Sequence, residues 1–310
     1  MRSLLAYTFF PIFYLYIIRF FVDVILGIHI GHVLGMGDYS AKNLEVQEIK
    51  AKSILNTSKI YGVDYALNPY LGCMHGCVYC YARFTFIHNN LDPLDWGRTV
   101  FPKINAPSLL KREIRLKKKG VVLLSSVTDP YQALECIYRL TRQCIEILLR
   151  YGWPINILTK SSLVVRDLDV LERFEVVDVG LTITIVDDEI KSVFEPRASK
   201  YSQRLSALAT LNKKIRGVYA FVGPIIPLIS DRDIEVIVSD LHDIGVKDII
   251  FDKLNVKAKN WITINQALAQ LGLDKRAFWR KVRSSLYWWE IKKKVLEIAT
   301  KYSMNVDFCY

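Results

Sequence analysis

The chain has 310 residues, 51% of them hydrophobic, with 42 Lys and Arg against 31 Asp and Glu and a formal net charge of +11. That length buries a full core in one large α/β domain or two smaller ones, and the hydrophobic share argues for a globular fold. Six cysteines at irregular spacing do not read as a disulfide framework, and the positive excess suits a polyanionic partner, nucleic acid first, or equally a basic proteome or simple solubility.

Residues 1–35 differ from the rest of the chain. Leu4 to Ile18 carry no charge, Arg19 and Asp23 interrupt, and a second apolar run spans Val24 to Leu34. Fifteen apolar residues with Pro11 inside are short of the roughly 20 that a spanning helix wants, and there is no clear signal-peptide cleavage site. The segment reads as a start assigned too far upstream, since Met36-Gly37-Asp38 resembles an ordinary start. A membrane anchor or interfacial helix, and a helix packed on the domain, are the other readings. His29 and His32 have no partner nearby in sequence and read as incidental.

After Met36, short β-branched runs alternate with amphipathic helices. Strands are expected at Tyr65–Leu71, Val121–Ser126, Ile155–Thr159, Val177–Ile185, Val218–Val222 and Asp248–Asp252. Helices are expected at Ser108–Lys119, Ile137–Tyr151, Val165–Phe174, Ser202–Asn212, Asp233–Ile244 and Trp261–Leu271. Six βα repeats predict parallel strands with right-handed crossovers, and hence an α/β partial TIM barrel, (β/α)6, over residues 36–256. Cys136 and Cys144 sit two turns apart in a helical pattern and read as buried small apolar residues. Residues 257–310 form a helical, basic and aromatic extension. Its Lys275, Arg276, Trp279, Arg280, Arg283, Trp288, Trp289 and Lys292-Lys293-Lys294 suit phosphates and bases, or equally the wet face of a helix burying Leu286, Trp289 and Val295.

In parallel barrels active sites form at the C-terminal strand ends, and the polar clusters of this chain fall there. The first strand runs into Gly72-Cys73-Met74-His75-Gly76-Cys77-Val78-Tyr79-Cys80. Cys73, Cys77 and Cys80 have the spacing C-x3-C-x2-C. Three thiolates on one loop suit a cubic iron–sulfur cluster with one iron left free for a substrate or cofactor. A zinc site with His75 as fourth ligand, and a plain ferredoxin-like cluster, are the alternatives, although zinc ligands usually come as two separated pairs.

At these residues the chain resembles the radical S-adenosylmethionine (SAM) enzymes. The resemblance implies a [4Fe–4S] cluster on the three cysteines, with SAM chelated by the fourth iron. Reductive cleavage would give methionine and a 5′-deoxyadenosyl radical that abstracts hydrogen from a substrate. It also implies the partial barrel core, a reducing partner such as ferredoxin or flavodoxin, and a cytoplasmic location for an oxygen-sensitive cluster. Membrane association would come only through residues 1–35.

The SAM contacts carry over by position. Tyr79, before the last cysteine, would lie near the adenine. Ser126, Thr128 and Asp129 after the second strand would serve the α-amino group, unless Thr128 is a helix cap and Asp129 a turn residue. Lys160 and Ser161 after the third strand would hold the carboxylate, unless Ser161 caps the next helix. Thr184 near the fourth strand would face the ribose, and Ile226 in Gly223-Pro224-Ile225-Ile226 would pack on the adenine, unless it is core. Glu195-Pro196-Arg197 after the fourth strand reads as a surface ion pair, with pairing to substrate or SAM as the other reading. The barrel lumen is expected to be poor in thiols apart from the three cysteines.

Asn68-Pro69-Tyr70-Leu71-Gly72-Cys73, Cys80-Tyr81-Ala82-Arg83, Thr128-Asp129-Pro130-Tyr131-Gln132 and Leu158-Thr159-Lys160-Ser161 together resemble the branch related to spore photoproduct lyase, the DNA repair photolyase-like proteins. The resemblance covers roughly Ile49 to Asn255. In that lyase a cysteine near the end of the second strand returns a hydrogen atom. Here the stretch is Ser125-Ser126, and a hydroxyl is a poor hydrogen-atom donor. The resemblance implies lyase-type or other modifying chemistry on a nucleic-acid base. The same chemistry on a small molecule or protein side chain, and a non-catalytic iron–sulfur or zinc module, are the alternatives.

Overall fold

The β-branched runs pair with their sequence neighbours. In the computed structural model, which describes residues 44–310, eight strands form one sheet. They are β1 (Leu55–Thr57), β2 (Tyr65–Leu67), β3 (Val122–Leu124), β4 (Ile155–Thr159), β5 (Val177–Thr182), β6 (Gly217–Ile225), β7 (Asp248–Lys253) and β8 (Asn305–Phe308). The strands lie in simple chain order, β1 antiparallel to β2 and all others parallel. The six central strands are the expected (β/α)6 core. The expectations for residues 1–35 lie outside the described residues.

Helices fill the crossovers: α1 (Ala106–Glu113), α2 (Leu140–Arg150), α3 (Asp188–Phe194), α4 (Tyr201–Asn212) and α5 (Ile234–Asp243). Side chains alternate along a strand. Ile157, Val179, Leu181, Ala220, Val222 and Phe251 are all buried to 1% exposure or less, and α4 packs on β5 and β6. Each large side chain of this kind contributes about 1.5–3 kcal/mol of burial. Registered across the other face are Asn156 with Asp178, Gly180 with Tyr219 and Phe221 with Ile250. That face carries Asn156 and Asp178 among larger side chains and is only half-buried apart from Gly180.

Where elements stop early, a local cause is visible. The strand expected at Tyr65–Leu71 breaks at Asn68-Pro69. Pro69 has no amide proton for the ladder, and the Asn68 carboxamide accepts the N–H groups of Ser126 and Val127 at 3.0 Å each. Tyr70–Leu71 then pairs antiparallel with Thr99–Pro102 in a second sheet. The helix expected at Ile137–Tyr151 splits at Arg139, which has φ 51°. The buried Glu135 carboxylate accepts the N–H groups of Thr141 and Arg142 and so supplies the cap of α2. Cys144 is buried as expected, whereas Cys136 is exposed.

The C-terminal extension holds α6 (Asn260–Gln270), α7 (Lys275–Arg283) and α8 (Ser285–Tyr302). The stripe that α8 buries is Tyr287, Trp288, Ile291, Val295, Ile298 and Ala299. Of the expected stripe Val295 is buried, whereas Leu286 and Trp289 are 63% and 60% exposed and their neighbours Tyr287 and Trp288 are buried instead. β8 was not expected. Its four residues contain only two apolar side chains, and pairing with β7 is what makes it a strand.

At the other edge, β1 leaves backbone donors that an edge strand must satisfy. The buried Glu113 carboxylate of α1 accepts the N–H groups of Ile54 at 3.1 Å and Leu55 at 2.9 Å, and the Ser53 hydroxyl at 3.2 Å. Glu113→Ala orphans these donors and lowers the unfolding free energy by about 2–3 kcal/mol. Urea titration measures this, with the exposed Lys111→Ala on the same helix shifting it by less than about 0.5 kcal/mol.

Candidate active site

At the C-terminal strand ends lies a cavity of about 220 Å³, lined by the three cysteines of the first loop and by residues following β3, β4 and β7. A single water needs roughly 10–15 Å³ on this measure, so the cavity is a formed site and no packing gap. Its only sulfur atoms, among the described residues, are those of Cys73, Cys77 and Cys80.

The cysteine loop has no regular structure, and its carbonyls are held from outside. Gly72 O accepts the Thr128 hydroxyl at 2.5 Å, Met74 O accepts Arg197 Nε–H at 2.5 Å, and Cys77 O accepts Arg83 Nη2–H at 3.3 Å. Val78 O accepts the Thr263 hydroxyl at 2.6 Å and Tyr79 O accepts Asn260 Nδ2–H at 2.8 Å, both from α6. The Met74 N–H donates to the buried Gln132 carboxamide at 2.8 Å. Two glycines are required by the same closeness. A Cβ on Gly72 (φ +86°) would sit 2.6 Å from Thr99 O, and one on Gly76 (φ +63°) 2.9 Å from Arg197 Nη2.

Burial pushes all three thiols up, Cys77 to about 12. Such thiols stay protonated at neutral pH unless a metal draws off their protons. His75 is not free to join them. Its Nδ1 lies 3.1 Å from Arg197 O, and its Nε2 lies 3.1 Å from Asp129 Oδ2, an ion-pair contact without hydrogen-bond alignment. Among the described residues no three His, Cys, Asp or Glu side chains converge on one ion position. Three thiols of one loop around one cavity fit an iron–sulfur cluster held by three cysteines.

Asp129 ties the loops together. Its carboxylate accepts the Thr159 hydroxyl at 2.6 Å, the Tyr131 N–H at 2.9 Å and the Lys160 N–H at 2.8 Å, besides the His75 contact. Burial alone would raise its pKa. The His75 charge and the donated hydrogen bonds outweigh that and hold it at about 2.

Glu195 is the largest departure from expectation. It is fully buried, ion-paired with Arg204 of α4, and accepts the Tyr79 hydroxyl. Arg204 is itself 2% exposed and also donates to Ser199 O at 2.8 Å and Thr182 O at 2.9 Å. Burial raises the Glu195 pKa, but Arg204 and then Lys160 override it and hold it at about 2. Arg197 is half-buried and clamps the carbonyls of Met74 and Gly97. The Glu195-Pro196-Arg197 run therefore braces the cysteine loop, and the surface-pair reading does not hold.

Of the expected SAM contacts, Tyr79, Ser126, Thr128, Asp129 and Lys160 line the cavity. The Lys160 ammonium stands 5.7 Å over the Tyr79 ring. Ser161, Thr184 and Ile226 do not line it. Ser161 Oγ caps the 3-10 turn Ser162–Asp167 by accepting the Leu163 N–H at 3.3 Å. The Thr184 hydroxyl donates to Gly223 O at 3.1 Å, and Ile226 is fully buried with its N–H on Ser230 Oγ at 2.8 Å. Their neighbours Thr182, Gly223 and Pro224 face the cavity instead. Ser125 was missed as a site residue. It lines the cavity, and its buried Oγ has no hydrogen-bond partner, which marks it as a group awaiting a ligand. Asp252 on the far wall was also missed, and burial raises its carboxyl to about 6.

The depressed carboxyls give a pH signature. Asp129 and Glu195 both titrate near 2 when folded and near 4 when unfolded. Their stabilisation is present above about pH 5 and is lost as pH falls through 4 toward 2. Urea titration at stepped pH should show this fall. Asp129→Asn removes on the order of 2 kcal/mol at pH 7 and makes the acid limb shallower.

A family model described as the Radical SAM superfamily matches residues 67–241. An uncharacterized protein of Methanocaldococcus jannaschii is 37% identical over 215 residues, spanning 69% of this chain and 80% of that protein. An uncharacterized protein of Acidianus two-tailed virus is 28% identical over 293 residues, spanning 89% and 93% respectively. The fold is similar to that of a spore photoproduct lyase mutant with bound AdoMet and dinucleoside spore photoproduct. The TM-score is 0.66 at 16% identity, over 88% of this chain and 84% of the lyase.

Proposed function

Because the chain belongs to the radical SAM superfamily, a family of enzymes whose cofactors are a [4Fe–4S] cluster and SAM, we propose that Cys73, Cys77 and Cys80 ligate that cluster and that a nucleic-acid base is the substrate. The observation that carries the first half is the set of three buried thiols facing one cavity at the C-terminal strand ends. When bound, the two cofactors supply a carbon radical that takes a hydrogen atom from the substrate. The protein's part is to bind, orient and exclude water.

Lys160 supplies the cation for the SAM carboxylate, and the unpartnered Ser125 hydroxyl and Ser126 supply polar contacts beside it. The Thr128 hydroxyl serves the amino group, and the Asp129 carboxylate, its acceptor positions already taken, adds negative charge beside it while anchoring the loops. Thr182, in place of Thr184, faces the ribose, and Tyr79 with Gly223-Pro224 borders the adenine. The Tyr79 hydroxyl is held by Glu195, which fixes the ring. With serines at 125 and 126 and no further thiol in the cavity, the reaction does not use a cysteine there to return hydrogen.

The second half rests on charge. Residues 257–310 hold eleven Lys and Arg against four Asp and Glu, so this stretch carries +7 of the net +11, which supports a polyanionic substrate. A base reaches a cavity of this size only when turned out of a stack, which favours single strands. A ferredoxin- or flavodoxin-type protein would supply the electron.

The test uses protein reconstituted anaerobically with iron and sulfide, then given dithionite and SAM. The parent forms 5′-deoxyadenosine, and Cys77→Ala forms almost none. Adding single-stranded DNA or RNA raises the rate, and a metabolite pool does not. No 5′-deoxyadenosine from a parent with an intact cluster would refute the cysteine assignment. Stimulation by metabolites alone would move the substrate to a small molecule.

A further inference from the structure

The positive charge of the C-terminal extension is sorted within it. On α7, Arg276, Arg280 and Arg283 recur at spacings of four and three, which aligns them on one helical face, with Lys275 beside them. All four are exposed, and none of them enters an ion pair among the described residues. Lys281, on another face, behaves differently, lying 3.2 Å from Asp231 Oδ2 and over the Tyr287 ring. Like charges one turn apart repel, so the uncompensated row calls for an external anion.

The row borders a shallow groove of about 650 Å³ that is also lined by Asn265 of α6 and Trp279 of α7. The Trp279 indole N–H donates to Asn265 Oδ1 at 2.7 Å, which fixes the ring in the wall. The opposite flank of α6 holds the cysteine loop through Asn260 and Thr263. Asn265 is five residues, about 7.5 Å, along that helix from Asn260. One helix therefore has the cluster loop on one side and the basic groove on the other.

Guanidinium forks match phosphate oxygens, and a fixed indole offers a face to a base. Arg276 to Arg283 spans about 10 Å of helix, a reach on the order of two to three consecutive phosphates of one strand. Building on the nucleic-acid reading above, we propose that this groove holds the sugar–phosphate backbone of a single strand next to the nucleotide that enters the cavity.

The full-length, cluster-loaded protein is titrated into fluorescein-labelled single-stranded DNA and RNA of about 20 nucleotides, following anisotropy over a range of KCl. The groove variant is Arg276→Gln/Arg280→Gln/Arg283→Gln. The charge-matched control is Lys213→Gln/Lys214→Gln/Arg216→Gln, on the exposed turn after α4. The groove variant should lower the log–log salt slope by about 2, at about 0.7 per phosphate contact, and weaken binding at least about tenfold. The control should stay within about twofold, and all three proteins should melt alike and give the same basal 5′-deoxyadenosine. A groove variant that binds like the parent overturns the groove proposal and leaves the nucleic-acid reading standing. No binding or stimulation by either polymer with the parent overturns that reading, and the groove with it. A variant that keeps nucleic-acid binding, but loses turnover with a flavodoxin and not with dithionite, assigns the groove to an acidic reductant and overturns the proposal.

Discussion

A loop that turns three thiols into one cavity, with no helix or strand of its own, has to borrow its rigidity. Buried backbone carbonyls and amides need partners, and in this loop they find them on every side: Thr128 and Gln132 after β3, Arg197 after α3, Asn260 and Thr263 on α6. The barrel serves this constraint. Its strand ends bring these donors and acceptors together, and its helices keep them there.

Two buried carboxylates set the electrostatics. Asp129 links His75 of the loop to Thr159 and Lys160 at the end of β4. Glu195 links Tyr79 of the loop to Arg204 of α4. Each is a buried charge, and each is stable only because its partners are complete. Removing one partner from such a pair costs about 3–5 kcal/mol. The same saturation leaves Lys160 and Ser125 as polar groups turned to the cavity with capacity to spare, and it separates residues that brace the site from residues that can meet a ligand.

Features carried by neighbouring residues were legible in the sequence. The cysteine spacing, the six βα repeats and the polar strand ends all depend on residues a few positions apart, and the sheet takes them in order. What lies opposite a residue was not legible. Periodicity told that Glu195 and Arg197 come after an αβ unit, but nothing local told that both turn inward, because their partners are residues 74–79 and 204. Thr184 and Ile226 were displaced from the cavity lining by two or three positions, since the point where a strand leaves the sheet is set by the neighbouring strand. In α8 a rotation of one residue decided which tryptophan is buried, Trp288 or Trp289.

The clamp from α6 has a consequence for biogenesis. Asn260 and Thr263 meet Tyr79 and Val78 across 181 and 185 residues of chain. During synthesis the cysteines emerge long before the helix that closes over them. The nascent loop therefore lacks these two partners, and the finished protein encloses it from behind. That wall of the pocket is in place only once the carboxyl-terminal helices have formed, so a chain ending before α6 would carry its cysteines with one wall of their pocket missing.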